Sequence, residues 1–274
     1  MATGDVDHGL FTVIIPTFNE AGNVGNMVEE LFRLYPGIRV VIVDDGSSDG
    51  TAETVQALEG RYEGLALLQR APREKGLTAS VMDGILSIDT DKFVVMDCDF
   101  QHPPAAVKDL MAAVHGGADM VVAVREGMGP LCFSRRIASN WAHRLAHTYL
   151  WFHRRPCCSD MMSGFFASDT RMVKEAISQN EASFEKVGFK VLFDILKHVP
   201  RNIRLEEVRY NFGDRASGES KLSTDVILSV LRQCGLGGKV ASGTIHFFLI
   251  NKAGRSVVFI ILAAIFAIVI SSST

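Results

Sequence analysis

Short apolar runs alternate with helical patterns through the first half of the chain, and this alternation limits the folds that it can adopt. The runs that we expect to form buried strands are Phe11–Pro16, Ile38–Val43, Leu65–Gln69, Phe93–Met96 and Met120–Val124. The segments with helical spacing between them are Val24–Leu34, Thr51–Glu59, Gly76–Ile88 and Pro104–His115. Strands that alternate with helices form a mostly parallel sheet covered on both faces. The sequence therefore predicts an α/β fold with a mostly parallel central sheet flanked by helices, and we expect the alternation to stop after Arg125.

Polar and charged residues follow the carboxyl ends of these predicted strands. They are Pro16–Glu20, Asp44-Asp45, Arg70, Asp97–Gln101 and Arg125. Ligands of open α/β sheets bind at the carboxyl ends of the strands, so we expect a charged ligand site at this edge. The sequence contains neither G-x-G-x-x-G nor G-x-x-x-x-G-K-[ST], which argues against a dinucleotide site or a P-loop.

The most specific of these strand ends carries Asp97 and Asp99, one residue apart. Residues i and i+2 of an extended segment point to the same side, so the two carboxylates can converge on one point. Magnesium and manganese are commonly held by one or two carboxylates together with substrate phosphates. The pattern predicts a metal–diphosphate site, and a solvated acidic turn is the alternative for an isolated Asp-x-Asp motif.

Length, charge and cysteine usage narrow the class of protein. A chain of 274 residues holds one large domain or two small ones. The net charge of −3 gives no basic field, so we expect no nucleic-acid partner. The five cysteines include no C-x-x-C pair, which favours reduced thiols over a disulfide framework.

The C-terminal part of the chain has the features of a membrane segment. Val257–Ile270 is an uninterrupted apolar run, preceded by Lys252 and Arg255. We favour a spanning helix over a buried core helix because the run has no polar face. It is short for a span, so either the flanking serines complete it or the protein continues beyond Thr274. The positive-inside rule then leaves the large domain in the cytoplasm.

Two further segments have an amphipathic pattern. The helix expected over Ser134–Phe152 mixes arginines with bulky aromatic residues, which suits either a membrane surface or an ordinary helix packed on the sheet. Leu222–Leu236 is the second such segment. We expect an N-terminal tail (1–10), a large domain (11–222) that carries the charged strand ends, an amphipathic interface segment (223–250) and a transmembrane segment (251–274).

Six motifs, in this order along the chain, resemble those of the dolichol-phosphate (polyprenol-phosphate) mannose synthase family. Members of that family are inverting glycosyltransferases with a Rossmann-like nucleotide-diphospho-sugar transferase fold. The motifs are Pro16–Glu20, Asp44–Thr51, Arg70 with Lys75-Gly76-Leu77, Asp97–Pro103, Ser163-Gly164-Phe165 and Arg215–Leu222. Two positions depart from the family pattern. Cys98 replaces a common alanine, and Phe18 replaces a common tyrosine but keeps a stacking ring.

The resemblance implies that the large domain (11–222) is catalytic, with GDP-mannose as donor, dolichyl or polyprenyl phosphate as acceptor, and Mg²⁺ or Mn²⁺ as cofactor. The residues that it assigns to nucleotide binding are Pro16, Phe18, Glu20, Val43, Asp45, Asp97, Cys98, Asp99, Gln101, Arg125, Arg215 and Lys221. It assigns the metal to Asp97, Asp99 and Gln101, and catalysis to Asp99, Arg125, Arg215 and Lys221. Arg135 and Ser139 are weaker candidates for the acceptor phosphate.

The implied mechanism needs no protein general base, because the attacking acceptor phosphate is already anionic at pH 7. The implied location is a membrane, with the catalytic domain on the cytoplasmic face of the endoplasmic reticulum in a eukaryote or of the plasma membrane in a prokaryote. Membrane lipid is then a partner, and a membrane subunit or self-association is left open.

Three alternatives compete with this interpretation. The first is a glucosyltransferase that uses UDP-glucose and a polyprenyl phosphate, since the strand-end motifs do not read the sugar hydroxyls. The second is an inactive nucleotide-binding scaffold of a membrane complex. The third is a receiver-type signalling domain, which would end near residue 120, whereas the motifs here continue to Lys221.

Overall fold

The computed structural model describes residues 6–70, 76–126, 143–144, 146–186 and 190–213. The strands are β1 (Phe11–Thr17), β2 (Arg39–Asp44), β3 (Leu65–Gln69), β4 (Lys92–Val95), β5 (Met120–Glu126), β6 (Phe166–Asp169) and β7 (Leu205–Asn211). They form one seven-stranded sheet in the order β3-β2-β1-β4-β6-β5-β7. Strand β6 runs antiparallel to its neighbours β4 and β5, and the other pairs are parallel. The predicted mostly parallel sheet is therefore confirmed.

Helices connect these strands. They are α1 (Ala21–Leu34), α2 (Thr51–Glu59), α3 (Leu77–Ser87), α4 (Val107–His115), α5 (146–152), α6 (Thr170–Asn180) and α7 (Val191–His198). Short 3-10 turns occur at His8–Leu10, Pro104–Ala106 and Glu181–Ser183. The proline at the first position of the Pro104–Ala106 turn suits a helix start, because its missing N–H would have no helical partner there.

Strand β1 lies at the centre of the core, and each of its seven residues is buried. It accommodates Pro16 although proline cannot donate to a ladder. The ladder to β4 ends at the pair Ile14–Val95, whereas Pro16 lies opposite Val43 of β2. The missing donor thus falls beyond the last β4 pair, and β1 ends one residue later, at the edge where β1, β2, β4 and β5 finish. We call this the carboxyl edge.

The expected end of the α/β alternation after Arg125 is wrong. Strands β6 and β7 and helices α6 and α7 follow it, and β6 inserts between β4 and β5. Strand β6 has only four residues, and most of β7 is partly or fully exposed. Neither segment therefore carries the continuous apolar run that marks a buried parallel strand.

Several predicted segments lie outside the described residues. These are the interface segment 223–250, the transmembrane segment 251–274 and the first part of the Ser134–Phe152 helix, whose end coincides with α5. Within the described ranges, no helix combines the length and the apolar character needed to cross a bilayer.

Candidate active site

The loops after β1 and β2 are tied to each other by side chains. The Asn19 backbone N–H donates to Ser47 Oγ at 2.8 Å, and the Ser48 N–H donates to Asn19 Oδ1 at 3.0 Å. Asn19 adopts a left-handed conformation with φ of 58°, which asparagine tolerates better than most residues. Glu20 N–H donates to Thr51 Oγ1 at 2.9 Å at the start of α2. These hydrogen bonds connect the two loops into one continuous surface at the carboxyl edge, which we call the wall.

The two adjacent acids after β2 have different surroundings. Asp44 accepts from the backbone N–H groups of Gly46 and Ser47 at 3.2 and 3.0 Å, so it shapes the turn. Asp45 accepts from the Arg70 guanidinium and, at 2.8 Å, from the Gly76 N–H. Arg70 also donates through Nε to Asp83 at 2.6 Å. Asp45 is therefore held between β3 and α3, with its two oxygens already engaged.

The Asp97–Gln101 loop begins just after β4. The Asp97 side chain is 43% exposed, whereas Asp99 is 6% exposed as a residue. The Gln101 N–H donates to Asp99 Oδ1 at 3.1 Å. Phe100 has a positive φ of 64°, which costs a bulky residue roughly 1 kcal/mol or more. The Gly213 N–H, just past β7, donates to Gln101 O at 3.1 Å and helps to hold this loop.

His102 supports the same loop from below. Its Nδ1 accepts the Asp97 backbone N–H at 3.0 Å, and its ring stacks on Phe165 with centroids 5.0 Å apart. Burial lowers the pKa of His102, and the nearby Asp97 and Asp99 carboxylates only partly oppose this effect. Because Nδ1 accepts a hydrogen bond, the imidazole is neutral with its proton on Nε2. His102 thus fixes the backbone that carries the first acid.

The oxygen groups at this loop fit a divalent metal that is shared with a ligand. A Cβ built on Gly164 would stand 3.5 Å from each Asp97 carboxylate oxygen, so the glycine leaves room around that acid. In the described part of the chain, no group of three or more His, Cys, Asp or Glu side chains could hold a metal by itself. Two carboxylates are nevertheless sufficient for Mg²⁺ or Mn²⁺ when phosphate oxygens complete the coordination.

Cys98 is different from the two acids that flank it. It is 3% exposed and belongs to the hydrophobic core. Burial, together with the nearby Glu20, Asp99 and Asp97 carboxylates, raises the pKa of its thiol well above the usual value. The thiol therefore stays protonated at neutral pH and packs as a small apolar side chain.

Arg125 marks the end of β5 on the same edge of the sheet. Its Nη2 donates to Asp160 Oδ2 at 3.2 Å, and its guanidinium lies 5.1 Å from the centre of the Phe212 ring. The side chain remains 45% exposed. It is thus oriented from two sides while it still presents charge to a ligand.

Sequence reasoning missed Asp160 and Lys190. Asp160 Oδ1 accepts the Met162 N–H at 3.2 Å, and Lys190 Nζ donates to Met162 O at 3.3 Å. Burial lowers the pKa of Lys190, Asp160 acts in the opposite direction, and Arg125 lowers it further. Asp160 lies three residues before the Ser163-Gly164 motif, and this short distance in the sequence could have indicated that Asp160 lies near the site. Lys190 directly precedes the buried helix α7, a position where a charged residue is unexpected.

The remaining predicted residues divide into two groups. Pro16 and Val43 lie side by side on β1 and β2, Phe18 is 41% exposed, and Glu20 Oε2 accepts from Asn23 at 2.7 Å. The four predicted residues Arg135, Ser139, Arg215 and Lys221 lie outside the described residues.

Sequence comparisons identify the family. The family model described as glycosyl transferase family 2 matches residues 12–176. The chain is 35% identical over 227 residues to the dolichol-phosphate mannosyltransferase of Pyrococcus furiosus, and the match covers 81% of this chain but 61% of that protein. It is 33% identical over 240 residues to the Mycosarcoma maydis protein of the same name, covering 81% of this chain and 76% of the relative. The Saccharomyces cerevisiae protein of that name is 30% identical over 240 residues, with 81% and 85% covered.

Solved structures with a similar fold include glucosyl-3-phosphoglycerate synthase from Mycobacterium tuberculosis in complex with Mn²⁺, UDP and glucosyl-3-phosphoglycerate. It has a TM-score of 0.63 at 18% identity, covering 87% of this chain and 86% of that one. The Mn²⁺ and UDP-glucose complex of the same enzyme has a TM-score of 0.63 at 18% identity, with 87% and 85% covered. At such identity the likeness concerns the fold, which is the nucleotide-sugar transferase type. The chain therefore belongs to glycosyl transferase family 2 and, within it, to the dolichol-phosphate mannosyltransferase family.

Proposed function

We propose that this protein transfers a mannosyl residue from GDP-mannose to dolichyl or another polyprenyl phosphate, with inversion at the anomeric carbon. The observation that carries the proposal is the pair Asp97 and Asp99 at the same sheet edge as Arg125, in a chain whose relatives are named dolichol-phosphate mannosyltransferase. Such an edge can bind the donor's anionic diphosphate, and the further charge that it gains on leaving, through a metal and an arginine at once.

The nucleotide would bind against the wall formed by the loops after β1 and β2. Asp45 would accept from a ring N–H of the base, and Arg70 keeps that carboxylate in place. Phe18 offers an exposed ring for stacking, while Pro16, Glu20 and Val43 complete the pocket. Since both Asp45 oxygens are already engaged, the base must share this acceptor with Arg70 and Gly76.

The diphosphate would lie against the Asp97–Gln101 loop. Asp97, Asp99 and Gln101 would hold Mg²⁺ or Mn²⁺, which neutralises charge on the leaving diphosphate. Asp99 is buried and bound by the Gln101 N–H, so it is already oriented, whereas Asp97 is open enough to meet a ligand. Cys98 would contribute through its backbone, because its side chain packs in the core.

The acceptor phosphate would act as the nucleophile. Its oxygen attacks the anomeric carbon, the bond from that carbon to the diphosphate oxygen breaks, and GDP leaves with the electron pair. Arg125, Arg215 and Lys221 would counter the phosphate charge during the transfer. Arg135 and Ser139 are our candidates for holding the lipid phosphate. An interface segment (223–250) and a transmembrane segment (251–274) would keep this site at the cytoplasmic face of the membrane.

A second candidate is glucosyl transfer from UDP-glucose to a polyprenyl phosphate. Asp45 supports it to the same extent, since guanine and uracil both present a ring N–H to a carboxylate. The relatives' names favour mannose.

The test is a transfer assay with the full-length protein in detergent or liposomes. It uses labelled GDP-mannose and UDP-glucose in parallel, polyprenyl phosphate as acceptor, and Mn²⁺ or EDTA. We expect mannosyl transfer that EDTA abolishes and that Asp99→Asn lowers by at least about a hundredfold, the typical effect of losing one key electrostatic group. Transfer from UDP-glucose alone would replace the donor assignment, and no transfer from either donor would support an inactive scaffold.

A further inference from the structure

Tyr210 is a buried side chain whose hydroxyl has no hydrogen-bond partner among the described residues. The residue is 5% exposed and lies near the end of β7. Buried hydroxyl groups in folded proteins nearly always have a partner, so one without any needs an explanation.

The position of Tyr210 connects it with the site. In the ladder between β5 and β7, Tyr210 lies directly opposite Arg125. Its ring packs edge-on against Phe165 at 5.3 Å and against His102 at 5.9 Å between centroids. It therefore sits behind the Asp97–Gln101 loop and beside the arginine that we assign to phosphate binding.

The chemistry of the hydroxyl makes it a hydrogen-bond donor. Burial raises the pKa of Tyr210, Arg125 acts against this effect, and Asp160, Asp97 and Asp99 add to it. The phenol consequently keeps its proton throughout the physiological range. It does not bond to any of these carboxylates, and no described residue supplies its acceptor.

We propose that the Tyr210 hydroxyl donates a hydrogen bond to a phosphoryl oxygen of a bound substrate. Phosphoryl oxygens are strong acceptors that carry negative charge at pH 7, and the neighbouring Arg125 attracts the same group. The oxygen belongs either to the donor's diphosphate or to the acceptor's phosphate. This inference rests on the proposed function, because that function supplies the two phosphoryl groups.

The variant Tyr210→Phe tests this directly, because it removes the hydroxyl and keeps the ring. Without ligand, we expect its melting temperature to equal or exceed that of the wild type, since the lost hydroxyl had no partner. Isothermal titration with GDP plus Mn²⁺ measures the donor arm, and the KM for polyprenyl phosphate measures the acceptor arm. We expect about a tenfold weakening in one of the two, the usual effect of losing a hydrogen bond to a charged group.

Two controls separate a ligand contact from a structural effect. Thr170→Val removes another buried hydroxyl without a described partner, next to the start of β4 at the opposite edge of the sheet. Tyr35→Phe removes a hydroxyl that donates to Pro104 O at 2.8 Å and accepts from Lys108 N–H at 3.1 Å. Thr170→Val should leave both binding arms unchanged, and Tyr35→Phe should lower the melting temperature without selective loss of affinity.

The proposal is overturned if Tyr210→Phe changes neither the affinity for GDP with Mn²⁺ nor the KM for polyprenyl phosphate by more than twofold relative to the wild type. Inorganic pyrophosphate with Mn²⁺ serves as a probe that is independent of the base and the sugar. If wild-type protein binds it tenfold better than Tyr210→Phe while failing to use GDP-mannose, the donor assignment fails and the Tyr210 contact stands. If wild-type protein transfers mannose and the variant matches it in the affinities for GDP and pyrophosphate and in the KM for polyprenyl phosphate, the Tyr210 contact is refuted and the proposed function stands.

Discussion

The guanidinium of Arg125 on β5 donates a hydrogen bond to the carboxylate of Asp160 at 3.2 Å. Asp160 in turn is fixed by the Met162 N–H, and the Ser163 hydroxyl of the same loop donates to Ala123 O on β5 at 2.9 Å. The loop before β6 is therefore fastened to the strand that carries the arginine, and it orients the charge that we assign to the substrate phosphates.

Replacing Asp160 by asparagine should release Arg125 from this orientation. We expect kcat/KM for transfer to fall about tenfold, which corresponds to about 1.4 kcal/mol of transition-state stabilisation. The free energy of unfolding should change by less than about 1 kcal/mol, because Arg125 is half exposed and asparagine keeps an oxygen that can accept from the Met162 N–H. Steady-state kinetics and urea unfolding measure the two quantities.

Asp89→Asn is the matched control. Asp89 pairs with Arg39 at 2.7 Å on the surface, where the side chains are 87% and 50% exposed. It should leave both kinetics and stability unchanged. Equal losses of activity in the two variants would mean that Asp160 has no specific role.

His102 is expected to hold the Asp97 backbone rather than to take part in proton transfer. His102→Phe keeps an aromatic ring against Phe165 but leaves the partly buried Asp97 N–H without its acceptor. We expect a loss of about 1–3 kcal/mol in the free energy of unfolding, the usual cost of a buried unsatisfied group. We also expect weaker binding of Mn²⁺ with GDP, and calorimetry measures both effects.

His8→Phe provides the corresponding surface substitution. His8 contacts Pro36 O at 3.2 Å in an exposed position and packs edge-on against Tyr35. Its replacement should have little effect on either measurement. A His102→Phe protein as stable as the wild type would show that the Asp97 contact contributes nothing to the fold.

Close packing of α3 on the sheet predicts a strong effect at Gly84. A Cβ at this position would stand 2.6 Å from Ile14 Cγ2 and 2.9 Å from Val43 Cγ2, which is too close for an undistorted core. Gly84→Ala should therefore lower the free energy of unfolding by about 1–3 kcal/mol.

The matched helix substitution is Gly25→Ala in α1, where the nearest heavy atom lies 3.6 Å away on Thr54. It should stabilise the protein by about 0.5–1 kcal/mol, since alanine loses less backbone entropy than glycine on folding. Urea unfolding measures the free energy of unfolding of both variants. A less stable Gly25→Ala protein or a Gly84→Ala protein of unchanged stability would contradict the packing of these helices.

His198 should make stability depend on pH. Its Nε2 is buried without a described partner, and its ring stacks on Phe184 at 5.4 Å. Burial lowers the pKa of His198, Lys197 and Arg155 lower it further, and Asp194 opposes them. The unfolded chain therefore binds the proton first on acidification. The stability that the neutral His198 contributes is fully present above about pH 6.5, the pKa of histidine in the unfolded chain. It is lost as the pH falls from there towards the lower pKa of His198 in the folded protein.

His198→Phe removes this titration and keeps the stacked ring. Between pH 7 and pH 5 the variant should lose less stability than the wild type, as measured by urea unfolding at a series of pH values. Parallel pH profiles for the two proteins would rule out a titrating His198.

Sequence patterns predicted the first five strands because each contains a short apolar run, although β3 is only partly buried. Helix α2 and strand β3 have the predicted bounds, Thr51–Glu59 and Leu65–Gln69. The later strands were not predicted because the two apolar residues of β6 are followed at once by Ser168 and Asp169, and β7 mixes its apolar residues with charged ones. Pattern reasoning depends on a continuous or regularly alternating apolar sequence, which neither segment has.

The same limit explains which site residues were found. Asp45, Asp97, Asp99 and Arg125 follow predicted strands, so their common edge could be inferred. Asp160, Lys190 and Tyr210 reach the site only because β6 inserts between β4 and β5 and because β7 pairs with β5. That strand order is set by tertiary packing and has no local signature in the sequence.

The central claim is that Asp97 and Asp99 hold a divalent cation against the donor's diphosphate. The most direct measurement is a crystal structure of the protein with GDP and Mn²⁺, with data collected at the manganese absorption edge. The account predicts one anomalous peak within about 2.0–2.3 Å of carboxylate oxygens of Asp97 or Asp99 and of a phosphoryl oxygen, a range bracketed by typical magnesium and calcium distances. A manganese peak away from both aspartates, with the nucleotide bound there, would contradict it.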